Sequence, residues 1–221
     1  MHIRKTPPPR RDFVTPEDSI IAACRAMNAS GLNQGTSGNI SLRQGDGMLI
    51  TPTSLAYDRM EPADLVAVGP DGRASGERRP SSEWRFHHDI LRHRPDVNAV
   101  VHAHPVHATA LALHGRGIPA VHYMVAIAGG ADIRCAPYAR FGTQGLSDVA
   151  LAALEGRTAC LLAHHGIIAL GRTLEQALWL AEEIEVLARM YLTSLQLGEP
   201  PRLSDDEIEG VRAAMRGYAQ V

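Results

Sequence analysis

The sequence predicts a single α/β domain in which a mixed β-sheet is covered by helices. The chain has 221 residues, 45% of them hydrophobic, which is enough for one domain with a substantial core. Short apolar runs typical of strands cluster in the middle of the chain. Segments with helical periodicity come before, between and after these runs, an order that is typical of a sheet packed against helices.

Composition excludes several classes of protein. The formal net charge is −2 and there is no basic stripe, which argues against a nucleic-acid binder. No apolar run approaches the ~20 residues that a membrane-spanning helix needs. Residues 1–14 lack the apolar core of a signal peptide, so we expect a flexible leader before one domain at residues 15–221. Three widely spaced cysteines without a CxxC motif are typical of reduced thiols in a cytoplasmic protein.

The first predicted helix begins after Thr15 and leads into a glycine-rich segment. Thr15 is expected at the N-cap with Pro16 at the first helical position, and Gly31 can end the helix in a left-handed conformation. The segment GLNQGTSGNIS (31–41) then concentrates glycines, amides and hydroxyls just before a short strand. It can be a tight turn that needs positive φ or a concave loop that holds a phosphate, and composition does not separate these alternatives.

Two strands and a helix start follow this loop. Residues 47–54 (GMLITPTS) predict a strand that ends in a second hydroxyl-rich turn, and residues 65–68 predict a third strand. Ser81 or Ser82 is expected to cap the next helix. Glu83 then falls in the first turn, where the helix dipole favours an anion, and this effect alone is a sufficient reason for a glutamate there.

Two histidines spaced i, i+2 end the apolar run AVVHAH (99–104). If the run is a strand, its side chains alternate, so His102 and His104 point to one side of the sheet and Ala103 to the other. Two imidazoles on one face can share a metal ion, although a lone pair of this kind is more often two polar residues at a strand end. A metal site therefore requires further ligands from elsewhere in the chain.

The next part of the chain predicts short elements. We expect a helix at residues 106–113, a strand-like piece at 120–123 and a helix at 147–154. Residues 159–170 predict two apolar strands joined by a tight turn at His164 and His165. Glycine in the position after these histidines would permit the reversal of the chain.

The C-terminal part of the sequence predicts two helices. Thr173 and Gln176 form a capping box at the start of the longest helix, which has apolar residues at i, i+3, i+4 spacing. Two prolines at 200–201 end this region, and a last helix reaches Tyr218 near the terminus.

These elements together supply the donors of a metal site. His102, His104 and either His164 or His165 lie at strand ends, and Glu83 adds a carboxylate. Nitrogen and oxygen donors in this number suit Zn²⁺. The two loops rich in glycine and hydroxyl groups, with a helix N-terminus at residues 81–82, would hold a phosphate nearby. The residues alone therefore predict a metal site for a phosphorylated substrate.

Eight blocks of the sequence resemble the class II aldolase/adducin family, and within it the L-fuculose-1-phosphate aldolase branch. The blocks are GLNQGTSGNIS (31–41), GMLITPT (47–53), PSSEWRFH (80–87), AVVHAHPVHATA (99–110), IPAVHYM (118–124), CAPYARFGT (135–143), LLAHHGIIA (161–169) and LEQALWLAEEIEVLA (174–188). Their order and spacing extend over nearly all of residues 15–218. The resemblance implies the family's fold, an α/β (α+β-like) architecture with a central, mostly antiparallel mixed β-sheet covered by helices on both sides.

The resemblance also implies roles for individual residues. Glu83 would be both a metal neighbour and the acid/base catalyst, with His102, His104 and His165 as zinc ligands. Tyr123 would be the proton donor toward the aldehyde half of the substrate. The implied phosphate-binding residues are Thr36, Gly38, Asn39, Thr53, Ser54, Ser81 and Ser82, and the implied aldehyde-side pocket is Phe141 and Tyr218. His164 is left with a structural role.

The implied activity is that of a zinc-dependent class II aldolase, with Mn²⁺ or Co²⁺ as possible substitutes. It would cleave a ketose 1-phosphate reversibly to dihydroxyacetone phosphate and an aldehyde, through a metal-stabilised enediolate. L-fuculose 1-phosphate, 5-deoxyribulose 1-phosphate and 5-methylthioribulose 1-phosphate are the expected substrates. The chain contains one lysine, Lys5, which argues strongly against an aldolase that uses a lysine Schiff base. The resemblance further implies a homotetramer with active sites between subunits, where Tyr123 and Tyr218 act on a neighbour's site.

One position departs from the family pattern. The turn that usually reads T-P-T-G has Ser54 in place of the glycine. A serine amide can still donate to a phosphate, but we expect the backbone to avoid conformations that only glycine tolerates. The phosphate pocket is therefore expected to be slightly altered.

Three alternatives remain open from the sequence. A pentulose-phosphate 4-epimerase of the same fold ranks second, although such enzymes typically carry Asp at the position of Glu83. A dehydratase or decarboxylase on the same scaffold ranks third. An adducin-like binding module would lack the metal histidines, which this chain retains.

Overall fold

The computed structural model describes the backbone of residues 15–218 and the side chains of residues 15–216. The leader expected at residues 1–14 lies outside the described residues. The described chain forms a central sheet with helices on both faces, as the resemblance implies. Within this part of the chain, no helix combines the length and the apolar character needed to cross a membrane.

Within residues 15–218, nine strands form the sheet in the order β4-β3-β2-β1-β5-β9-β8-β7-β6. Their bounds are β1 (Asn39–Gln44), β2 (Gly47–Ile50), β3 (Val66–Val68), β4 (Ala74–Ser75), β5 (Ala99–Ala103), β6 (Ile118–Pro119), β7 (Asp132–Ala136), β8 (Ala159–Leu162) and β9 (Gly166–Gly171). Every neighbouring pair is antiparallel except β7 and β8, which are parallel. The sheet is therefore mixed and mostly antiparallel, as predicted.

The described chain has six α-helices, of which the first five cover the two faces of this sheet and the last packs against the segment after β6. They are α1 (Pro16–Ser30), α2 (Trp84–His93), α3 (Val106–Leu113), α4 (Gln144–Ala153), α5 (Leu174–Ser194) and α6 (Asp205–Tyr218). One apolar cluster packs α1, α3 and α5 against the face that carries Val101, and a second packs α2 and α4 against the face that carries Val100. Since neighbouring residues of β5 point to opposite faces, this strand is buried on both sides, which explains the apolar run at residues 99–101.

The helix starts follow the predicted capping chemistry. Thr15 caps α1 by accepting a hydrogen bond from the Asp18 N–H at 3.1 Å, and Gly31 ends the helix at φ 76°. Thr173 caps α5 by accepting from the Gln176 N–H at 3.3 Å. In the predicted capping box the Gln176 side chain would accept from the Thr173 N–H. It accepts instead from the N–H of Arg172, one residue earlier.

Two predicted elements differ from the structure. The strand expected at residues 120–123 is wrong, because the strand is Ile118–Pro119 and the chain then enters a 3₁₀ helix at Tyr123–Ala128. Pro119 has no N–H to extend the ladder, and the Val121 N–H turns back to the Pro119 carbonyl at 2.7 Å. Helix α4 begins at Gln144 rather than at residue 147, since Thr143 caps it through the Leu146 N–H.

One end of the sheet gathers the strand ends that carry polar residues. Asn39 at the start of β1 pairs with His102 near the end of β5, and Ala103 pairs with Ile167 near the start of β9. The turn between β8 and β9 lies at the same end, because Leu162 pairs with Gly166. We refer to this as the histidine end of the sheet.

Candidate metal centre

His102 and His104 lie on the same side of the sheet, as the alternation predicts. His102 is in β5 and fully buried, with its ring edge-on to Phe86 at a centroid distance of 5.4 Å. Its Nδ1 donates to the Ile167 carbonyl at 2.8 Å, so Nε2 is the ring nitrogen left to face His104 and to bind a metal. His104 follows the end of the strand, and its Nε2 lies 2.9 Å from Nε2 of His102.

The third histidine of the cluster is His165, and the backbone of the β8–β9 turn determines this choice. His164 takes the left-handed conformation at φ 58°, is exposed, and has its ring 6.0 Å from that of Tyr138. His165 instead places its ring 4.8 Å from His102 and 5.0 Å from His104.

Gly166 has a different role from the one predicted. The left-handed residue of the turn is His164, so Gly166 does not provide the reversal by positive φ. A Cβ atom at Gly166 would instead collide with the Ala103 carbonyl oxygen and with the His104 ring. Glycine is therefore needed here so that β9 can approach β5 beside the histidines.

Glu83 supplies the carboxylate from the start of α2. The helix begins at Trp84, so Glu83 occupies the N-cap position rather than the first turn, and neither Ser81 nor Ser82 is the cap. The Glu83 side chain makes no capping hydrogen bond and turns towards the histidines. Its Oε2 lies 3.1 Å from His102 Nε2, and its Oε1 lies 3.1 Å from His165 Nε2. The helix dipole is thus not the main reason for this glutamate.

The four side chains form a compact donor set. One donor atom from each of Glu83, His102, His104 and His165 lies within 4.8 Å of the others. Glu83 Oε1 is buried and has no hydrogen-bond partner among the described residues, which is costly for a carboxylate oxygen unless a cation binds it. Three imidazole nitrogens with one carboxylate suit a divalent transition metal. The residues therefore fit the predicted metal.

The protonation states of the cluster also suit a cation. Burial alone would raise the pKa of Glu83, but attraction to His102 and His165 holds it well below its usual range. Burial, together with repulsion from His102 and His165, lowers the pKa of His104 to about 3. Glu83 is therefore a carboxylate and His104 a neutral imidazole, the forms in which both residues bind metals.

Two buried asparagines stand behind this cluster. The Asn33 Oδ1 accepts from the His104 backbone N–H at 3.2 Å, and its Nδ2 donates to the Ser37 carbonyl. The Asn39 Nδ2 donates to Glu83 Oε2 at 3.0 Å. The sequence predicts no role for Asn33, and it predicts Asn39 only as a phosphate-binding residue. The sequence does show an asparagine next to a predicted strand. The spacing of residues does not, however, predict which group the asparagine side chain will hydrogen-bond.

The loops predicted to hold a phosphate converge at the histidine end. The Thr51 N–H donates to the Ile40 carbonyl at 3.1 Å, and the Ser81 N–H donates to the Thr51 carbonyl at 2.9 Å. A further bond joins the Thr53 N–H to the Arg79 carbonyl at 3.1 Å. The turn after β2 and the segment before α2 are thus linked side by side, next to the start of β1. Ser81 is buried and Thr53 is partly exposed.

The exposure of the other predicted phosphate residues varies. Thr36, Ser54 and Ser82 are exposed, while Gly38 is partly exposed. Gly38 has φ 75°, and a Cβ there would collide with the His102 carbonyl oxygen, so glycine is required by both conformation and space.

Ser54 lies in the left-handed region of the backbone, with φ 57°. This region favours glycine but is open to other residues, so it is not a conformation that only glycine tolerates. The turn therefore keeps a left-handed residue at this position in spite of the substitution. A non-glycine residue tolerates this region at a modest cost, so the path of the turn does not require glycine.

Phe141 lies near these loops, and its aromatic ring is mostly exposed. It precedes Gly142, where an added Cβ would lie 2.8 Å from the Ser82 carbonyl oxygen, and the Arg85 Nε donates to the Gly142 carbonyl at 3.3 Å. The segment that carries Phe141 is therefore held against the start of α2.

Tyr123 lies away from the metal centre of its own chain. The register pairs Ile118 with Ile133 and Pro119 with Asp132, so the chain leaves β6 where β7 begins. That end of the sheet is opposite to the histidine end, where β7 finishes at Ala136. Tyr123 is 50% exposed there. The backbone of Tyr218 ends α6, which packs against the 3₁₀ helix of Tyr123, and the Tyr218 side chain lies outside the described residues.

Comparisons with known proteins agree on one family. The family described as Class II Aldolase and Adducin N-terminal domain matches residues 18–192. A 5-methylthioribulose-1-phosphate/5-deoxyribulose-1-phosphate aldolase of Rhodospirillum rubrum is 56% identical over 199 residues, which cover 90% of each chain. The L-fuculose phosphate aldolase of Escherichia coli K12 is 52% identical over 200 residues, 90% of this chain and 93% of that protein. A solved structure named L-fuculose 1-phosphate aldolase has a TM-score of 0.89 and 36% identity, covering 92% of this chain and 98% of that one.

Proposed function

The chain belongs to the class II aldolase and adducin family, and from this premise we propose that it is an aldolase that cleaves ketose 1-phosphates to dihydroxyacetone phosphate and an aldehyde. The observation that carries the proposal is Glu83 beside His102, His104 and His165, with one buried carboxylate oxygen that has no hydrogen-bond partner in the described part of the chain. Relatives of similar identity carry two names, one for L-fuculose phosphate and one for 5-methylthioribulose and 5-deoxyribulose 1-phosphates. We propose that the chain accepts more than one of these substrates.

We propose zinc as the metal, with Mn²⁺ or Co²⁺ able to replace it. Glu83, His102, His104 and His165 would hold the ion, since nitrogen and oxygen donors in this number suit Zn²⁺. When bound, a divalent cation acts as a Lewis acid that polarises the oxygens of the substrate. The buried position of His102 and Glu83 strengthens this effect because water does not screen their charges.

The protein residues would handle two protons in the reaction. In cleavage, the C4 hydroxyl loses a proton, the C3–C4 bond breaks to form the aldehyde, and C3 of the three-carbon phosphate gains a proton. We propose that Glu83 delivers the proton to C3 and removes it in the reverse direction, where the carboxylate form acts as the base. Tyr123 would exchange the proton of the C4 oxygen.

The loops at the histidine end would bind the phosphate. Backbone N–H groups in a left-handed turn and hydroxyls at a helix N-terminus are suitable donors for an anion. The residues proposed for this are Thr36, Gly38, Asn39, Thr53, Ser54, Ser81 and Ser82. For Asn39 we propose a contact through the backbone, since its side-chain amide already donates to Glu83.

We also propose a homotetramer in which each active site lies between two subunits. Tyr123 lies at the sheet end opposite to Glu83, so the tyrosine of one subunit would complete the site of its neighbour. Phe141 and Tyr218 would shape the aldehyde side of this shared site. A cytoplasmic location is proposed from the three free cysteines.

A coupled assay for dihydroxyacetone phosphate tests the function directly. The purified protein is incubated with zinc and, separately, with L-fuculose 1-phosphate, 5-deoxyribulose 1-phosphate and 5-methylthioribulose 1-phosphate. Release of dihydroxyacetone phosphate from at least one of them is the expected result. If none is cleaved while a pentulose 5-phosphate is epimerised at C4, the proposal is wrong and the epimerase is the function.

A further inference from the structure

A chain of buried polar side chains ends at one oxygen of Glu83. Ser41 and Asn39 lie on β1, and His87 lies on α2 one turn after Glu83. The Ser41 Oγ is 2.7 Å from His87 Nδ1, the His87 Nε2 is 2.5 Å from Asn39 Oδ1, and the Asn39 Nδ2 is 3.0 Å from Glu83 Oε2. All four residues are buried, and Ser41 and His87 are completely buried.

The chemistry of these groups determines the direction of every hydrogen bond. A carboxylate only accepts, so the Asn39 amide must turn its NH₂ group to Glu83 and its carbonyl oxygen to His87. That oxygen also only accepts, so His87 must carry its proton on Nε2. None of the described residues hydrogen-bonds a carboxylate to this completely buried imidazole, which is therefore neutral, so Nδ1 is an acceptor and the Ser41 hydroxyl donates to it. Each bond thus points towards Glu83.

The two oxygens of Glu83 consequently have different surroundings. Oε2 receives the Asn39 hydrogen bond and lies beside His102. Oε1 lies beside His165 and has no hydrogen-bond partner among the described residues. A carboxylate that is held by one oxygen cannot rotate freely, so the other oxygen keeps a fixed position.

We propose that His87 and Asn39 are positioning residues that hold Oε2 of Glu83 and so fix the direction of Oε1, the oxygen that faces the metal and substrate side of the site. This inference rests on the proposed function for the reaction itself. The hydrogen-bond directions do not depend on that function. In a purely structural role these side chains would only fill space between β1 and α2, and kcat would not depend on whether Asn39 is held by His87.

The tautomer is measured without any substrate. In zinc-loaded protein labelled with ¹⁵N-histidine, the His87 signals are assigned by comparison with the His87→Gln variant. We expect the proton of His87 on Nε2 and a neutral ring. A proton on Nδ1, or on both nitrogens, would overturn the proposal, because Asn39 would then not be oriented with its NH₂ group to Glu83.

A matched pair of substitutions at His87 tests the effect on the reaction. Glutamine places an N–H donor close to the position of Nε2, so His87→Gln can still orient Asn39. Asparagine reaches only the position of Nδ1, so His87→Asn can contact Ser41 but not Asn39. We expect His87→Gln to keep most of kcat and His87→Asn to lose about 10- to 100-fold in kcat with little change in KM. Equal loss in both variants would contradict the proposal.

A third variant acts on Asn39 itself. Asn39→Asp keeps the shape of the side chain but replaces the donor to Glu83 with a like charge. We expect kcat and the exchange of the C3 proton of dihydroxyacetone phosphate to fall together, while the protein still folds by circular dichroism and still contains zinc. Proton exchange at the rate of the unsubstituted protein would overturn the proposal.

The two proposals can fail separately. If the unsubstituted protein cleaves no ketose 1-phosphate but His87 carries its proton on Nε2, the proposed function is wrong and the orientation of the network stands. If cleavage occurs and His87 has its proton on Nδ1, the function stands and the positioning role is wrong.

Discussion

Glu83 Oε1 lies 3.1 Å from His165 Nε2 and is buried, with no hydrogen-bond partner assigned to it among the described residues. Leaving a buried acceptor unsatisfied costs roughly 1–3 kcal/mol, and more for a charged group. A cation held by both atoms would remove this cost. Glu83 and His165 are far apart in the sequence, and the fold brings them together at the candidate metal site.

The two adjacent histidines of the β8–β9 turn should differ in their effect on metal content. His165→Ala removes a donor from the cluster, whereas His164 is exposed and points away towards Tyr138. We expect about one divalent ion per chain in the unsubstituted protein and a large loss in His165→Ala. His164→Asn is the control, since asparagine tolerates the left-handed conformation, and it should keep its metal. Elemental analysis of both variants after dialysis measures this. Equal metal content in both would contradict the assignment of His165.

Glu83→Gln should separate metal binding from proton transfer. The amide keeps the size of the side chain and one oxygen donor, but it does not act as a base at neutral pH. We expect the exchange of the C3 proton of dihydroxyacetone phosphate to fall by about 10²- to 10⁴-fold, with most of the metal retained. Glu182→Gln on α5 is the control for a change of charge and should not affect the exchange. Undiminished exchange in Glu83→Gln would assign the base elsewhere.

Two inactive variants should restore activity when their subunits are mixed. Tyr123→Phe retains Glu83 but lacks the tyrosine, and Glu83→Gln retains the tyrosine but lacks the base. If Tyr123 completes a neighbour's site, random mixing of equal amounts gives about a quarter of the sites both intact residues. The measurement is aldolase activity after the two variants are unfolded and refolded together. Activity that stays at the level of the separate variants would place Tyr123 outside a shared site.

Ser54→Gly should leave the fold unchanged and raise its stability. Ser54 is held at φ 57°, a region that costs an L-residue roughly 1–2 kcal/mol and costs glycine almost nothing. Glycine also has more freedom in the unfolded chain, so we expect a net gain of at most about 1 kcal/mol. Thr53→Gly is the control, since Thr53 does not have positive φ and glycine there should destabilise. Urea unfolding of both variants at one protein concentration measures the free energy of unfolding. A loss of stability in Ser54→Gly would contradict the strain at this turn.

The stability of the protein should fall as the pH decreases from about 6.5, because of His87. Burial lowers the pKa of His87 to about 3, so between pH 6.5 and 3 the unfolded chain binds a proton that the folded chain does not. The free energy of unfolding therefore decreases with falling pH, by up to about 1.4 kcal/mol per unit for this group. Urea unfolding from pH 7 to pH 4.5 should show a smaller slope in His87→Gln. His93→Gln, at an exposed position, should keep the original slope. An unchanged slope in His87→Gln would mean that His87 is not neutral in the folded chain.

The sequence by itself determined most of the fold and part of the metal centre. Helix ends were predictable because Thr15 and Thr173 satisfy backbone N–H groups a few residues away, which is a local interaction. The common side of His102 and His104 followed from the two-residue period of a strand. Both are properties of neighbouring residues and need no knowledge of the rest of the chain.

Tertiary structure decided the remaining features, because each depends on segments far apart in the sequence. The conformation of His164 selects His165 for the metal centre, and the Glu83 side chain faces the histidines instead of capping its own helix. The Asn39 amide faces Glu83 only because β1 lies beside β5 and α2 packs on the same face. The register of β6 places Tyr123 at the opposite end of the sheet. A local sequence pattern cannot predict which of these residues lie close together, since this depends on the order and pairing of the strands.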